Sequence, residues 1–212
     1  MPPIDYYPML VSERPFDLDQ RGWLYEIKFD GYRLMAEVDG GAVTLHTKNG
    51  ADATKWFPET VKALATLQGG RYVFDGEICA LDDLGRSTFE VLQERARRRR
   101  WYEGAPPVVY AVFDLLVNAG VDITQQPLSA RKSALVKLFE NGVPGILPVT
   151  GFDGEGQGTW LFKGPVHQLK LEGIVAKRLD SVYRPGVRSP DWVKVKRKGA
   201  VPPKRFKRPP GS

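Results

Sequence analysis

From Trp23 onward, apolar and polar residues alternate with a period near two, the pattern of strands with one buried face. Residues 23–50, WLYEIKFDGYRLMAEVDGGAVTLHTKNG, read as strand segments broken at Asp30-Gly31 and at Asp39-Gly40-Gly41. The second break lies between two alternating runs and predicts a hairpin. Pro58–Leu67 changes period, placing Val61, Leu64, Ala65 and Leu67 on one face behind an N-terminal proline, and predicts a helix. Residues 71–81 return to a strand, followed by a turn at 82–85 and a helix that starts at Ser87 as its cap. Residues 108–117, VVYAVFDLLV, are almost continuously apolar and predict a central buried strand.

Further along, Ser129–Phe139 predicts a capped helix through Leu135, Leu138 and Phe139, and the proline- and glycine-rich 141–151 an internal loop. A helix is expected between Thr159 and Lys170, interrupted or kinked at Gly164-Pro165. Two strands, GIVAKRL and WVKVKRK, close the pattern around the turn-rich DSVYRPGVRSPD. Residues 1–22 read as an extended lead-in without periodicity. Helices fall irregularly and not after every strand, so the expected class is α+β with antiparallel sheets flanked by helices.

Composition narrows the chemistry. At 212 residues and 42% hydrophobic, the chain supports one good-sized core or two subdomains. No apolar run approaches the roughly 20 residues needed to span a bilayer, and the N-terminus lacks the order of a secretory signal, so a cytoplasmic protein is expected. One cysteine, Cys79, excludes an internal disulfide, and with only His46 and His167 beside it a structural zinc site is not expected. Any metal would be held by oxygen.

The net charge of +6 is unevenly placed. Eight of the 31 basic residues and none of the 25 acidic ones follow Asp191, which leaves residues 1–193 at −2. The expected layout is one domain over 1–198 and a disordered basic tail over 199–212 whose charges suit a polyanion. A second basic run, ERARRRR at 94–100, reads either as a solvated helix face or as a contact for nucleic acid.

The densest chemical signal is YEIKFDGYR, residues 25–33, which sets Lys28 in an apolar strand run beside Asp30-Gly31. A half-buried lysine costs free energy unless something pairs or uses it. Glu26-x-Lys28-x-Asp30-Gly31-x-Arg33 resembles the nucleotidyl-acceptor motif of the DNA ligase and mRNA capping enzyme superfamily. Four further segments resemble its motifs in the same order: FDGEI (74–78), VFDLL (112–116), EGIVAK (172–177) and WVKVK (192–196). Within that superfamily PMLVSERPFD (8–17), TKNG (47–50), STFEVLQER (87–95) and DSVYRPGVRSPDWVKVK (180–196) resemble the bacterial ATP-dependent ligases that serve end-joining repair alongside Ku. Lys48 stands where that family leads one to expect arginine; it keeps the charge but loses the planar fork that grips phosphate.

The resemblance implies a nucleotidyltransferase (adenylation) fold and an enzyme in which Lys28 takes AMP from ATP. AMP then passes to a DNA 5′-phosphate, and a 3′-hydroxyl seals the break. It implies that Glu26 recognises the adenine amino group, that Phe113 stacks on the ring with Ile27 adjoining the nucleotide, and that Arg33 contacts the ribose or the DNA end. Glu77 and Glu172 are expected to hold Mg²⁺ or Mn²⁺ through oxygen, and Asp30 to orient Lys28. A free lysine is almost wholly protonated at neutral pH, so Lys194, Lys196 and the metal are expected to lower its pKa by repulsion and to neutralise charge on the phosphates. Lys48 and Arg33 are the expected DNA contacts.

The family continues into an OB-fold, and with only about 16 residues after the last matched motif none is expected here. The expected partner is nicked or broken duplex DNA, with Ku or another repair protein supplying the missing surface to a monomer at the bacterial nucleoid. Two other readings stay open at this point: a DNA-end or repair-partner binding module that has lost turnover, and an RNA ligase or capping-type enzyme.

Overall fold

A computed structural model describes residues 6–200. The first half forms β1 (Leu10–Ser12), β2 (Trp23–Ile27), β3 (Tyr32–Asp39), β4 (Ala42–Thr47), α1 (Pro58–Leu64), β5 (Tyr72–Cys79) and α2 (Phe89–Arg98). The second forms β6 (Val109–Asn118), β7 (Val121–Asp122), α3 (Leu128–Leu138), β8 (Ile146–Pro148), β9 (Phe152–Asp153), α4 (Gln157–Leu161), β10 (Gly173–Arg178) and β11 (Arg188–Lys196). The predicted tail from residue 201 lies outside the described residues.

These strands make two sheets. One runs β1-β11-β10-β2-β9; the other runs β4-β3-β5-β6-β7, with β8 added in parallel on β6. Among the described residues neither sheet closes into a barrel. The predicted hairpin joins β3 to β4, with Asp39 opposite Ala42 and both Gly40 and Gly41 at positive φ, as so tight a loop demands.

Strand parity explains how the sheets stack. On β3, Leu34, Ala36 and Val38 point into a core shared with α1, α2 and α3, whereas Met35 points the other way. On β2, Trp23 and Tyr25 join a third cluster with Leu161, Val166, Ile174 and Val193, whereas Leu24 points inward with Met35. The inward faces meet in a middle layer of Leu24, Met35, Val73, Leu116, Val117 and Trp192. Because side chains alternate, the inward parity of β2, β10 and β11 carries Glu26, Lys177, Lys194 and Lys196, and that of β3 and β5 carries Arg33, Asp75 and Glu77. Two polar rows thus face each other beyond the apolar layer.

Several expectations are corrected. The helix predicted at 58–67 ends its regular turns at Leu64 and tapers through Ala65–Leu67, which still pack on the core. Neither predicted serine cap forms. α2 starts at Phe89, and the Ser87 hydroxyl instead accepts the Asp30 N–H at 3.1 Å; α3 starts at Leu128, behind Pro127. The 141–151 loop contains β8, and the lead-in contributes β1, which pairs in parallel with β11. The interruption expected at Gly164-Pro165 is present and takes the form of a π turn over Phe162–Val166, directly after α4. A wider turn omits the tight hydrogen bond that a proline cannot donate.

The basic run is not wholly a solvated face. Arg95 is completely buried and donates to the carbonyls of Trp56 and Pro106 and to Glu59. It fastens α2 to the turn before α1.

Candidate active site

Lys28 follows the last residue of β2, and its N–H still donates to the Gly173 carbonyl at 3.0 Å, so β10 fixes its backbone. Gly31 is needed for proximity: a Cβ there would lie 2.0 Å from the Ile78 carbonyl oxygen. The chain therefore crosses hard against β5 as it passes from one sheet to the other. The Gly31 N–H donates to Glu77 Oε1 at 3.1 Å, tying the Lys28 loop to the opposite sheet.

The inward rows of both sheets bound a cavity of about 600 Å³. Glu26, Ile27, Lys28 and Arg33 line it from the N-terminal motif, Lys48 from the 47–50 segment, and Glu77, Phe113, Glu172, Lys194 and Lys196 from the later motifs. Asp30 is the exception. It lines a neighbouring cavity of about 250 Å³ behind the loop, with Ser87, Arg86 and Arg197.

Lys28 Nζ lies 2.5 Å from Glu172 Oε2, and Lys196 Nζ lies 3.3 Å from the other oxygen of the same carboxylate. Lys194 turns to the rim, where it meets Glu13 at 2.7 Å. This hydrogen bond and the lysine's charge hold the Glu13 carboxyl below its ordinary pKa. The expected cationic cluster is thus present but interleaved with carboxylates.

At the inner end, Glu26 is almost fully buried and bridges two ammonium groups, Lys132 from α3 and Lys177 at 2.6 Å from β10. Lys132 also donates to the Val149 carbonyl at 2.6 Å and that of Phe113 at 3.1 Å. Lys177 Nζ stands 4.4 Å from the centroid of the Phe113 ring and 4.1 Å from that of Trp192, both within cation–π range. Burial pushes the Lys177 pKa down to about 8, against the pull of Glu26 and with the push of Lys132. Sequence reasoning missed both lysines as site residues, although each carried a signal. Lys177 shares the parity of Val175 and Glu26 across the sheet, and Lys132 lies on the helix face of Leu128 and Leu135.

Arg33 is clamped rather than free. Its guanidinium donates twice to Asp75, at 2.9 and 2.6 Å, and lies over the rings of Phe113 and Trp192. Burial opposes its charge, but Asp75 prevails and raises its pKa further. Asp75 also accepts the Tyr183 hydroxyl at 2.6 Å, and Tyr183 in turn accepts the Met9 N–H. Burial and then the Asp75 charge push the Tyr183 pKa well up. Cys79 is buried with a raised thiol pKa, first through desolvation and then through Glu77, consistent with a structural role.

Among the described residues, no group of three or more His, Cys, Asp or Glu forms a cage for a metal. Glu77 and Glu172 nonetheless suit Mg²⁺, which characteristically takes one or two carboxylates and fills its octahedron with water and substrate phosphates. No described helix is long and apolar enough to cross a membrane.

Comparison with known proteins bears on the family of the chain. The multifunctional non-homologous end joining protein LigD of Pseudomonas aeruginosa is 38% identical over 174 residues, covering 82% of this chain and 20% of that protein. Its counterpart in Mycolicibacterium smegmatis is 33% identical, covering 92% and 24%. The chain therefore spans about a fifth to a quarter of the length of these curated relatives. Among solved structures, the ligase domain of LigD from M. tuberculosis superposes with a TM-score of 0.76 at 31% identity, covering 91% of this chain and 59% of that one. A mycobacterial DNA ligase D complexed with ATP and MES superposes at 0.72, also with 31% identity, covering 91% and 60%. The family described as ATP dependent DNA ligase domain matches residues 8–196, a span that holds both sheets and every side chain lining the larger cavity, and the chain belongs to that family.

Proposed function

We propose that this domain is the catalytic core of an ATP-dependent DNA ligase acting in end-joining repair, with Lys28 as the nucleophile. The observation that carries this reading is the Lys28–Glu172–Lys196 contact at a cavity whose inner end offers Phe113 and Glu26. Lys28 Nζ forms a bond to the α-phosphorus of ATP while the bond from that phosphorus to its bridging oxygen breaks and pyrophosphate leaves. The amine must first give up a proton, and Glu172, in direct contact, is the acceptor within reach. Lys196 and Lys194 then face the charge that builds on the phosphate oxygens.

Phe113 offers the adenine an aromatic face. Glu26 accepts the adenine amino group through lone pairs left beside its two lysines, since a carboxylate has about four acceptor sites. Glu77 and Glu172 would hold Mg²⁺, which when bound withdraws charge from the phosphates. Arg33, held by Asp75, meets the ribose or the DNA end, and Lys48 meets the DNA. Asp30 supports Lys28 from behind the loop. The lysyl-AMP passes its nucleotide to a DNA 5′-phosphate, and a 3′-hydroxyl then displaces AMP. The substrate is nicked or broken duplex DNA at the bacterial nucleoid, with Ku or another repair protein adding DNA-binding surface.

The test is a denaturing gel after incubation with α-labelled ATP and Mg²⁺. Wild type carries the label, labelled GTP gives none, and Lys28→Ala loses the label completely while keeping its melting temperature. Label on both proteins overturns the assignment of Lys28; label on neither favours a binding module.

A further inference from the structure

We propose that the end of α2 and the turn after it, Arg97–Trp101, form a second DNA-contacting surface that grips backbone phosphates away from the reacting ends. The proposal rests on the ligase reading and adds to it a surface outside the catalytic cavity.

Five of the six residues from Arg95 to Arg100 are arginines, and the structure divides them. Arg95 is the anchor: buried, with carbonyl and carboxylate acceptors around its guanidinium, it holds the end of α2 against the 54–56 turn. Arg97 and Arg98 are exposed and share Glu94. Arg99 and Arg100 are exposed, and among the described residues neither has a carboxylate within ion-pair distance. Some other surface arginines are neutralised close by, Arg21 by Glu155, Arg86 by Asp82 and Arg178 by Asp180, and Arg14, Arg184 and Arg188 stand singly without an ion pair among the described residues, whereas Arg99 and Arg100 are adjacent. Trp101, half exposed, follows immediately, and Arg98 stacks over Tyr102 at 4.1 Å, ordering the end of the turn.

A helix C-terminus favours cations, but that effect fades within the last turn. It accounts for Arg97 and Arg98 better than for Arg99, already in the left-handed cap, or for Arg100 beyond it. What remains is an exposed excess of positive charge with no acid to satisfy it. Planar guanidinium groups match phosphate oxygens in pairs. The distance also suits a duplex. The ten residues of α2 span roughly 15 Å from the Ser87–Asp30 contact beside Lys28, about four to five phosphates along one strand.

The experiment uses the full chain and a fluorescent nicked duplex, with binding followed by anisotropy from about 50 to 200 mM salt. Each phosphate contact adds about 0.9 to the slope of log affinity against log salt. Wild type should therefore lose about tenfold more affinity across this range than R99Q/R100Q. R99E/R100E should bind more weakly still, R99K/R100K should recover the wild-type slope, and all should take label from ATP at the wild-type rate. Identical slopes for wild type and the Gln and Glu variants, or losses confined to an RNA duplex, would overturn the proposal while leaving Lys28 labelling intact. Absence of label on wild type would instead overturn the ligase reading.

Discussion

Two carboxylate–cation pairs in this domain look alike on paper and differ in almost every physical respect. Asp114 and Arg131 are both completely inaccessible to water, joined by two hydrogen bonds of 2.8 and 2.9 Å. The remaining guanidinium donor group serves the Gln126 and Ser181 carbonyls, so the arginine ties α3 to β6 and to the chain after β10. Glu172 and Lys28 keep 11% and 17% of their side-chain surface exposed, open onto the cavity, and Glu172 divides itself between two lysines. The first pair has no competing ion-pair partner among the described residues and no route for water. In the proposed reaction the second would exchange partners when phosphates arrive. Burial alone does not separate the two pairs; access to a cavity and a second claimant for the same carboxylate do.

The comparison can be broken at either end. Asp114→Asn leaves the Arg131 charge buried without its partner and should lower unfolding free energy by about 3–5 kcal/mol in urea titrations. The labelling rate of the folded fraction should change little. A loss near zero would show the pair to be dispensable. Glu172→Gln should do the reverse, slowing Lys28 labelling by about 10²-fold or more with stability held within about 1 kcal/mol. If this variant instead unfolds as readily as Asp114→Asn, the distinction between holding and working pairs collapses.

Lys177 sharpens the comparison with a smaller effect. Its pKa of about 8 in the folded protein lies below its ordinary value of 10.5, so the unfolded chain binds more protons between those limits. The charged form is disfavoured fully below pH 8, and stability is regained as pH rises through this window. Lys177→Met lacks that term. Urea midpoints of the two proteins, measured near both limits, should therefore shift in favour of wild type at the higher pH, whereas a constant difference would refute the lowered pKa.

What could be read from the sequence follows from how local each cause is. Alternation on β2, β3, β5 and β11 is a property of neighbouring residues and made the strands legible, whereas Glu26, Lys28, Arg33, Glu77, Lys194 and Lys196 were picked out by resemblance to the family's motifs, and the structure lines one cavity with them. The hairpin at Gly40-Gly41 was legible for the same reason. The partners of those side chains were not. Lys132 reaches Glu26 across more than a hundred residues, and Asp75 and Tyr183 meet 108 residues apart. Arg95 is distinguished from its neighbouring arginines only by which way α2 faces. Ser87 has the composition of a cap, but the Asp30 N–H offered its hydroxyl a tertiary use instead. Local propensity proposes a partner, and tertiary contact decides whether it is taken.

The parallel pairing of β1 with β11 has a mechanical consequence. Leu10 lies opposite Arg188, and Ser12 opposite Val193, so the two strands run side by side in the same direction. Tension applied through the two ends of the domain would pull β1 backward and β11 forward. The load falls on their hydrogen bonds together, in shear, and not one after another as in unzipping. The strand that carries Lys194 and Lys196 is the one under load.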